Sequence, residues 1–461
     1  MDRRDLLKRT GIVAGSVAAG ATLPVGVSVA AAQAGTLTFW DTLNDPIRGG
    51  VVEALGDSFE QANAGVQVEH RGWTTEELTS TLPRSVEGNQ GPDVSQVNNG
   101  ESLMGPMIRG GQLVSLSDYA TEYGWNDRFA AGLQARNRYS ADGRVFGAGH
   151  LWGISAESEI VGFYYNRQIF ADNGLAVPTT VAEFETLLGA LREAGQEPLV
   201  FGNLDKWQAI HLFGEIHGTM TTREFLDSLI YRRDVDAPLA TPAGTLGATP
   251  AAASVATPPS VGFEDPSIVN AAAKVIEWRD AGYFMNGFEA TSGDDATALF
   301  TSGVGGVLLQ GSWAAAQVQE GLGENAGFFL MPPLESGGTV LHVGGVGIPY
   351  SITTNADDPD LAAKFLDHLV SEEAFNLFIE AGSLPAGEIP ADKIQPNTVS
   401  GDLYTSWNAA LEADAIGHYL DWAAPDFYDP LTAALQELLG GQMTADQFAT
   451  TLQEFYAASF A

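Results

Sequence analysis

The sequence predicts an α/β protein built in two lobes, on three observations. Its 461 residues exceed what one hydrophobic core usually organises, and a hydrophobic fraction of 45% can fill two. Strand-like and helix-like patterns alternate from residue 36 to residue 99, an order that implies a parallel sheet. A mostly extended run, HLWGISAESEIVGFYYN (150–166), is longer than a usual strand and can carry the chain from one lobe to the other.

Taken in order, residues 1–34 read as an export signal. Arg3 and Arg4 precede an apolar stretch from Gly11 to Ala32, and Ala32-Gln33-Ala34 fits a small-residue cleavage site. The arginine pair resembles the twin-arginine pattern, with Asp2 and Leu6 in place of its usual residues. TLTFWD (36–41) then alternates as a strand, and Val51, Val52, Leu55 and Phe59 recur at helical spacing. VQVEHRGW (66–73) is a second strand, followed by a capping box from Thr74 and Glu77. DVSQV after Pro92 is a third strand, ending at Asn98-Asn99-Gly100. Thr180 and Glu183 cap a helix with Val181, Phe184, Leu187, Leu188 and Leu191 on one face and Gly195 as its stop.

The stretch 237–263 holds no charge and is rich in Ala, Pro, Thr, Gly and Ser, so it reads as a low-complexity insertion. A helix resumes after Asp265-Pro266. VGGVLLQGSW (304–313) and FFLMPP (328–333) read as strands, and HVGGVGIPYSI (342–352) as a third, glycine-rich one. Residues 360–377 form an amphipathic helix or helix pair, and the last 55 residues are helical with breaks at PDFYDP and at Gly440-Gly441.

Composition excludes several chemistries. There is no cysteine, hence no disulfide framework, thiolate metal site, cysteine nucleophile or cysteine for lipid attachment. The net charge of −36 repels nucleic acid and anionic lipid, and favours a neutral or cationic solute as ligand. Seven histidines show no metal-ligand spacing, and no phosphate-binding loop, dinucleotide fingerprint or nucleophile elbow occurs. No cofactor is called for. Glu157 and Glu159 share one face of an extended segment, but carboxylates are too abundant to nominate a glycosidase pair.

Aromatic residues gather at element ends beside hydroxyl-bonding groups. Trp40 ends the first strand next to Asp41, and Trp152 opens the long extended run that leads to Glu157. In the stretch FGNLDKWQAIHLF, Trp207 opens a helix beside Asn203, Asp205 and Lys206; Asp205 is either a hydroxyl acceptor or a helix cap. Trp313 follows a glycine turn at Ser312, and Tyr428 sits next to Asp429. A flat ring covers the C–H face of a sugar, and carboxylates and amides bond its hydroxyls.

With these stretches in view, the chain resembles the extracellular solute-binding proteins of ABC importers, in the carbohydrate-binding branch that includes maltose-binding protein. The likeness runs through TLTFWD, GPDVSQV, MIRGGQLVSLSDY, GISAESEIVGFYYNRQIFADNGL with VPTTVAEF, FTSGVGGVLLQGSW, GGVGIPYSI and DLAAKFLDHLVSEEAFNLFIEAGSLPA. It implies a two-lobed periplasmic-binding-protein fold with a ligand cleft between the lobes. The first lobe would hold 35–148 and 342–385, and the second 149–341 and 386–461, with crossings at 150–166 and near 384–388. Cleft positions carried over are Trp40, Asp41 and Asn44; Asn98 and Asn99; Glu157 or Glu159; Asp205 and Trp207; Trp313; Gly344 and Gly345, which would allow close backbone approach; and Tyr428. The insertion at 237–263 departs from the pattern, and the missing lipid-attachment cysteine puts surface anchoring in doubt.

The resemblance thus implies an exported, non-enzymatic, monomeric protein that captures a carbohydrate by lobe closure and delivers it to membrane permease subunits. Nucleic acid is not an expected partner. The rival expectations are a secreted glycoside-processing enzyme and a receptor for another neutral or cationic solute such as a polyamine.

Overall fold

The computed structural model describes residues 35–232 and 261–460. The expected export signal lies outside the described residues, as does the low-complexity insertion except for its last three residues.

The amino-terminal third folds as its alternation predicts. Strand β1 (Gly35–Asp41) is followed by helix α1 (Arg48–Ala62), strand β2 (Val66–Gly72), helix α2 (Thr75–Glu87) and strand β3 (Val94–Gln96). Helix α1 buries Val51, Val52, Leu55 and Phe59, the apolar face its spacing predicts. Helix α2 opens with the Thr74–Glu77 capping box, both bonds of which are made. β1 pairs in parallel with β2 on one side and β3 on the other.

Short helical turns between residues 100 and 137 lead to strand β4 (Ser158–Asn166), helix α3 (Val181–Glu193), the two-residue strand β5 (Leu199–Val200) and helix α4 (Trp207–Gly218). Thr180 caps α3, but the carboxylate of Glu183 bonds back to Thr179 rather than Thr180. Helix α5 (Arg223–Tyr231) precedes the second described stretch, which begins with helices α6 (Pro266–Asp280) and α7 (Gly293–Thr301). Strands β6 (Val307–Gly311), β7 (Ala326–Phe329), β8 (Gly344–Val346) and β9 (Tyr350–Ile352) come next, then helices α8 (Pro359–Leu369) and α9 (Glu372–Glu380). Helices α10 (Val399–Glu412), α11 (Tyr428–Leu439) and α12 (Ala445–Ala458) complete the chain. No helix among the described residues is long and apolar enough to cross a membrane.

Two sheets organise these elements. The first runs β9–β3–β1–β2, with β9 antiparallel to β3. The second runs β8–β4–β6–β5, with β7 also on β4, and only its β5–β6 pair is parallel. The glycine-rich run 342–352, expected as one strand, is therefore two strands in different sheets. Gly347-Ile348-Pro349 carries the chain across, and Pro349 removes a backbone donor that a continuous strand would need.

Three buried clusters fill the fold, and the largest also takes in Leu78, Leu82 and Val86 of α2. Phe39, Val52, Leu55, Phe365 and Phe378 pack together on the first sheet. Phe163, Phe184, Leu188, Phe213 and Trp278 belong to the largest cluster, around the second sheet, and Leu308, Val318, Leu403 and Trp407 fill a third cluster.

Candidate functional site

Three stretches of chain lie side by side where the two sheets meet. Ile154 and Tyr350 exchange backbone bonds of 2.9 and 2.8 Å, and Gly347 N donates to Glu157 O at 2.8 Å. On the other flank, Ser158 N donates to Leu384 O at 2.8 Å and Ala386 N to Ala156 O at 3.0 Å. Residues 154–158, 347–350 and 384–386 thus form a three-stranded seam. The third stretch joins α9, which packs on α1, to α10, which packs on β7. A few extended residues of this kind can absorb the backbone rotation of a hinge. Two of these stretches overlap the segments 150–166 and 384–388, and the one at 347–350 was not singled out.

Glu157 sits in this seam and Glu159 two residues on in β4. Both are half-buried while Ser158 and Ile160 are buried, so the two carboxylates share a face. Burial pushes each carboxyl up to about 7. For Glu157, Arg48 opposes the rise and Asp45 and Asp41 add to it. For Glu159, Tyr419 and Arg136 oppose it and Glu157 adds to it. Arg48 itself, although burial works against its charge, is held above its ordinary pKa by Glu157 and Asp45. Residues of α1 and of the seam therefore feel each other directly.

The raised Glu159 pKa has a stability consequence of definite sign. With a folded value of about 7 above an ordinary value of 4.5, its stabilising contribution is complete at low pH and is lost as pH rises through 7. Glu159→Gln, which keeps the neutral form, should therefore raise the melting temperature relative to wild type at pH 8 by on the order of 2 °C. At pH 4, below the ordinary value of 4.5, the two should nearly coincide. Equal differences at both pH values, read by scanning fluorimetry, would contradict the assignment.

An aromatic wall stands on the second sheet's side. The Trp207 and Trp313 rings meet edge to face at 5.8 Å, and His211 lies 4.9 Å from Trp207 and 5.7 Å from Trp313. His211 continues to Tyr419 at 5.3 Å, and Tyr419 to Trp422 at 5.1 Å. Burial lowers His211 to about 3, so this ring is a neutral member of the wall. From the first sheet, Trp40 and Trp73 meet at 4.9 Å, with the Arg71 guanidinium 3.5 Å above Trp73. Trp40, Trp73, Trp313 and Tyr428 all pack against one and the same buried cluster.

The loop before α4 answers the Asp205 alternative. Asn203 Oδ1 accepts from Ala209 N at 3.2 Å, so Asn203 serves the helix start. Asp205 does not cap α4; its Oδ2 accepts from Gly293 N at the start of α7, 3.0 Å away. Its carbonyl accepts from the Tyr428 hydroxyl at 3.0 Å. Lys206 takes a positive φ of 69°, unusual for a residue with a side chain. The loop is thus held by α7 and α11 together, and it presents the half-buried Trp207 at the surface of the wall.

Several expected site residues are engaged elsewhere. Asp41 is fully buried and accepts from Leu43 N, His70 Nε2 and the Tyr350 hydroxyl at 2.8–3.0 Å. It is a structural acceptor beneath Trp40. Trp152 is 7% exposed and its indole N–H donates to Tyr139 O at 3.1 Å, which makes it a core residue. Gly344 and Gly345 do allow a close approach, but of Arg136 and not of a ligand. Arg136 Nη1 donates to Gly344 O, and a Cβ on Gly345 would collide with that guanidinium. Asn99 is fully buried, with its amide nitrogen donating to Arg136 O and Asn137 Oδ1. Asn44 is exposed and Asn98 half-buried, both at the ends of first-sheet strands.

Residues not expected are Arg48, Arg71, Trp73, Arg136, His211, Tyr419 and Trp422. Trp73 was legible: it ends VQVEHRGW as Trp40 ends TLTFWD. Arg136 and Tyr419 had no local signal, because distant segments meet around them. Arg136 Nη2 reaches the carbonyls of Ile416 and Gly417, at 3.1 and 2.6 Å. Asn99 Oδ1, Arg136 Nε and the Tyr419 hydroxyl are buried without a hydrogen-bond partner. Each such atom costs about 1–3 kcal/mol, so their presence calls for an explanation.

Comparison with known proteins is consistent with this architecture. Residues 40–374 match the family described as bacterial extracellular solute-binding protein. The osmoprotective compounds-binding protein GgtB of Synechocystis is 29% identical over 163 residues, which span 34% of this chain and 36% of that protein. A solved chitin oligosaccharide binding protein superimposes with a TM-score of 0.74 at 18% identity, over 92% of this chain and 99% of its own. The bacterial solute receptor AcbH, described with a preference for β-D-galactopyranose, gives 0.74 at 15% identity over 93% and 100%. The two-lobed fold is shared with these structures, and with the family match covering most of its length the chain belongs to the bacterial extracellular solute-binding proteins.

Proposed function

We propose that this protein is the exported binding component of an ABC importer, which captures a neutral sugar or oligosaccharide between its lobes and presents it to membrane permease subunits. The observation that carries this reading is the wall of Trp207, His211 and Trp313 standing beside the paired carboxylates of the seam. Rings of this kind cover C–H faces, and half-buried carboxylates and amides bond hydroxyls. Trp40, Asn44, Asn98, Glu157, Glu159, Asp205, Trp207, Trp313 and Tyr428 are the candidate contacts. The lobes part at the seam, so that Gly344–Val346 goes with the second lobe and Tyr350–Ile352 with the first. Residues 1–34 act as the export signal, and the protein works as a monomer without catalysis. Sugar-binding proteins among its structural neighbours support the solute class, and the family supports export.

A thermal-shift screen of residues 35–461 against galactose, raffinose, maltotriose, diacetylchitobiose and spermidine tests the reading. At least one sugar should raise the melting point, because a ligand that binds only the folded state stabilises it. Calorimetry with that sugar should then give a saturable heat and no new reducing ends. A shift by spermidine alone, or steady sugar turnover, would overturn it.

A further inference from the structure

Three deeply buried polar side chains lie together behind the aromatic wall, each with one atom left over. Asn99, Arg136 and Tyr419 are 0%, 2% and 8% exposed, and Asn99 Oδ1, Arg136 Nε and the Tyr419 hydroxyl have no hydrogen-bond partner. The remaining polar atoms of Asn99 and Arg136 tie them to each other and to the fold. Asn99 Nδ2 donates to the Arg136 carbonyl, and the Arg136 guanidinium spans the carbonyls of Gly344, Ile416 and Gly417. Tyr419 links the group to the wall through His211 at 5.3 Å. Glu159 pairs across the β4–β8 ladder with Gly345, against which the Arg136 guanidinium lies, and Glu159 and Tyr419 act on each other electrostatically. Trp422 flanks the group, 6.0 Å from the guanidinium.

We infer that Asn99, Arg136, Glu159 and Tyr419 form a polar floor of the solute site that takes two neighbouring hydroxyls of a sugar ring. The inference rests on the sugar reading above and specifies which residues select the ligand. The floor offers two donors, Arg136 Nε–H and Tyr419 O–H, and two acceptors, Asn99 Oδ1 and the Glu159 carboxylate. A hydroxyl donates once and accepts as well, so a vicinal pair satisfies all four groups at once. An anionic ligand brings acceptors only and leaves Asn99 and Glu159 opposed. An ammonium brings donors only, leaves Arg136 and Tyr419 unpaired, and meets the guanidinium charge. Buried groups left unpaired by the wrong ligand are the strongest form of discrimination a binding site has. The floor therefore selects neutral, hydroxyl-paired solutes within an otherwise acidic protein.

The test is Tyr419→Phe, compared with wild type by calorimetry against galactose, raffinose, maltotriose and diacetylchitobiose, and by melting of the free protein. The variant should bind the sugar that wild type binds at least tenfold more weakly. Its ligand-free melting point should stay close to that of wild type, because the hydroxyl it loses closes no regular hydrogen bond in the free protein. Undiminished affinity, or a clear fall in the free melting point, would overturn the floor alone. A wild-type protein that binds none of these sugars would instead overturn the sugar reading, and the floor with it.

Discussion

Replacing Trp207 by alanine is expected to weaken sugar binding by about thirtyfold, or about 2 kcal/mol. The ring is half-buried and already positioned: Trp313 meets it edge on and His211 lies against it, so a ligand pays little to order it. Its loop is clamped through Asp205 to Gly293 and to Tyr428, and not through the side chain of Trp207. Truncation should therefore leave the loop in place and spare the melting point of the free protein. Trp207→Phe keeps a flat face and should recover part of the loss. Calorimetry with the sugar identified by the thermal screen is the measurement. Undiminished affinity in the alanine variant would remove the wall from the site.

The second large effect concerns stability. Arg136→Met should cost about 4 kcal/mol in urea unfolding, with the midpoint moving down at similar slope. Methionine has the volume to fill the channel beside Gly345 but no donor for the carbonyls of Gly344, Ile416 and Gly417. Hydrogen bonds from a charged donor contribute about 1.5–3 kcal/mol each. Relief of a buried guanidinium that has no carboxylate within ion-pair distance among the described residues offsets part of that sum. Arg136→Lys should recover only a fraction, since one ammonium cannot reproduce the planar fork. A cost below about 1 kcal/mol would show that the carbonyls find other donors, and would remove the strut that joins residues 135–137 to β8.

Much of the fold was legible because it depends on local periodicity. The strand–helix alternation of residues 36–99, the Thr74–Glu77 cap and the inward face of α1 are each set by residues a few positions apart. The glycine-rich run at 342–352 was misjudged as one strand: Pro349 marks an interruption, but nothing local says that its two halves join different sheets. Its two ends pair with Ile160 and Gln96, residues far away in sequence.

Of the site, the sequence by itself determined where flat rings stand at element ends, and that Glu157 and Glu159 share a face. It could do so because both facts follow from spacing along one segment. Only the tertiary structure decided which of these groups remain available. Asp41 and Trp152 are consumed by buried partners, and the glycines of β8 make room for a side chain of the protein itself. Arg136, Tyr419 and Asn99 converge from separate segments, so their unpaired atoms exist as a group only once the chain has folded. Pairing and burial are properties of neighbours in space, and the order of residues does not contain them.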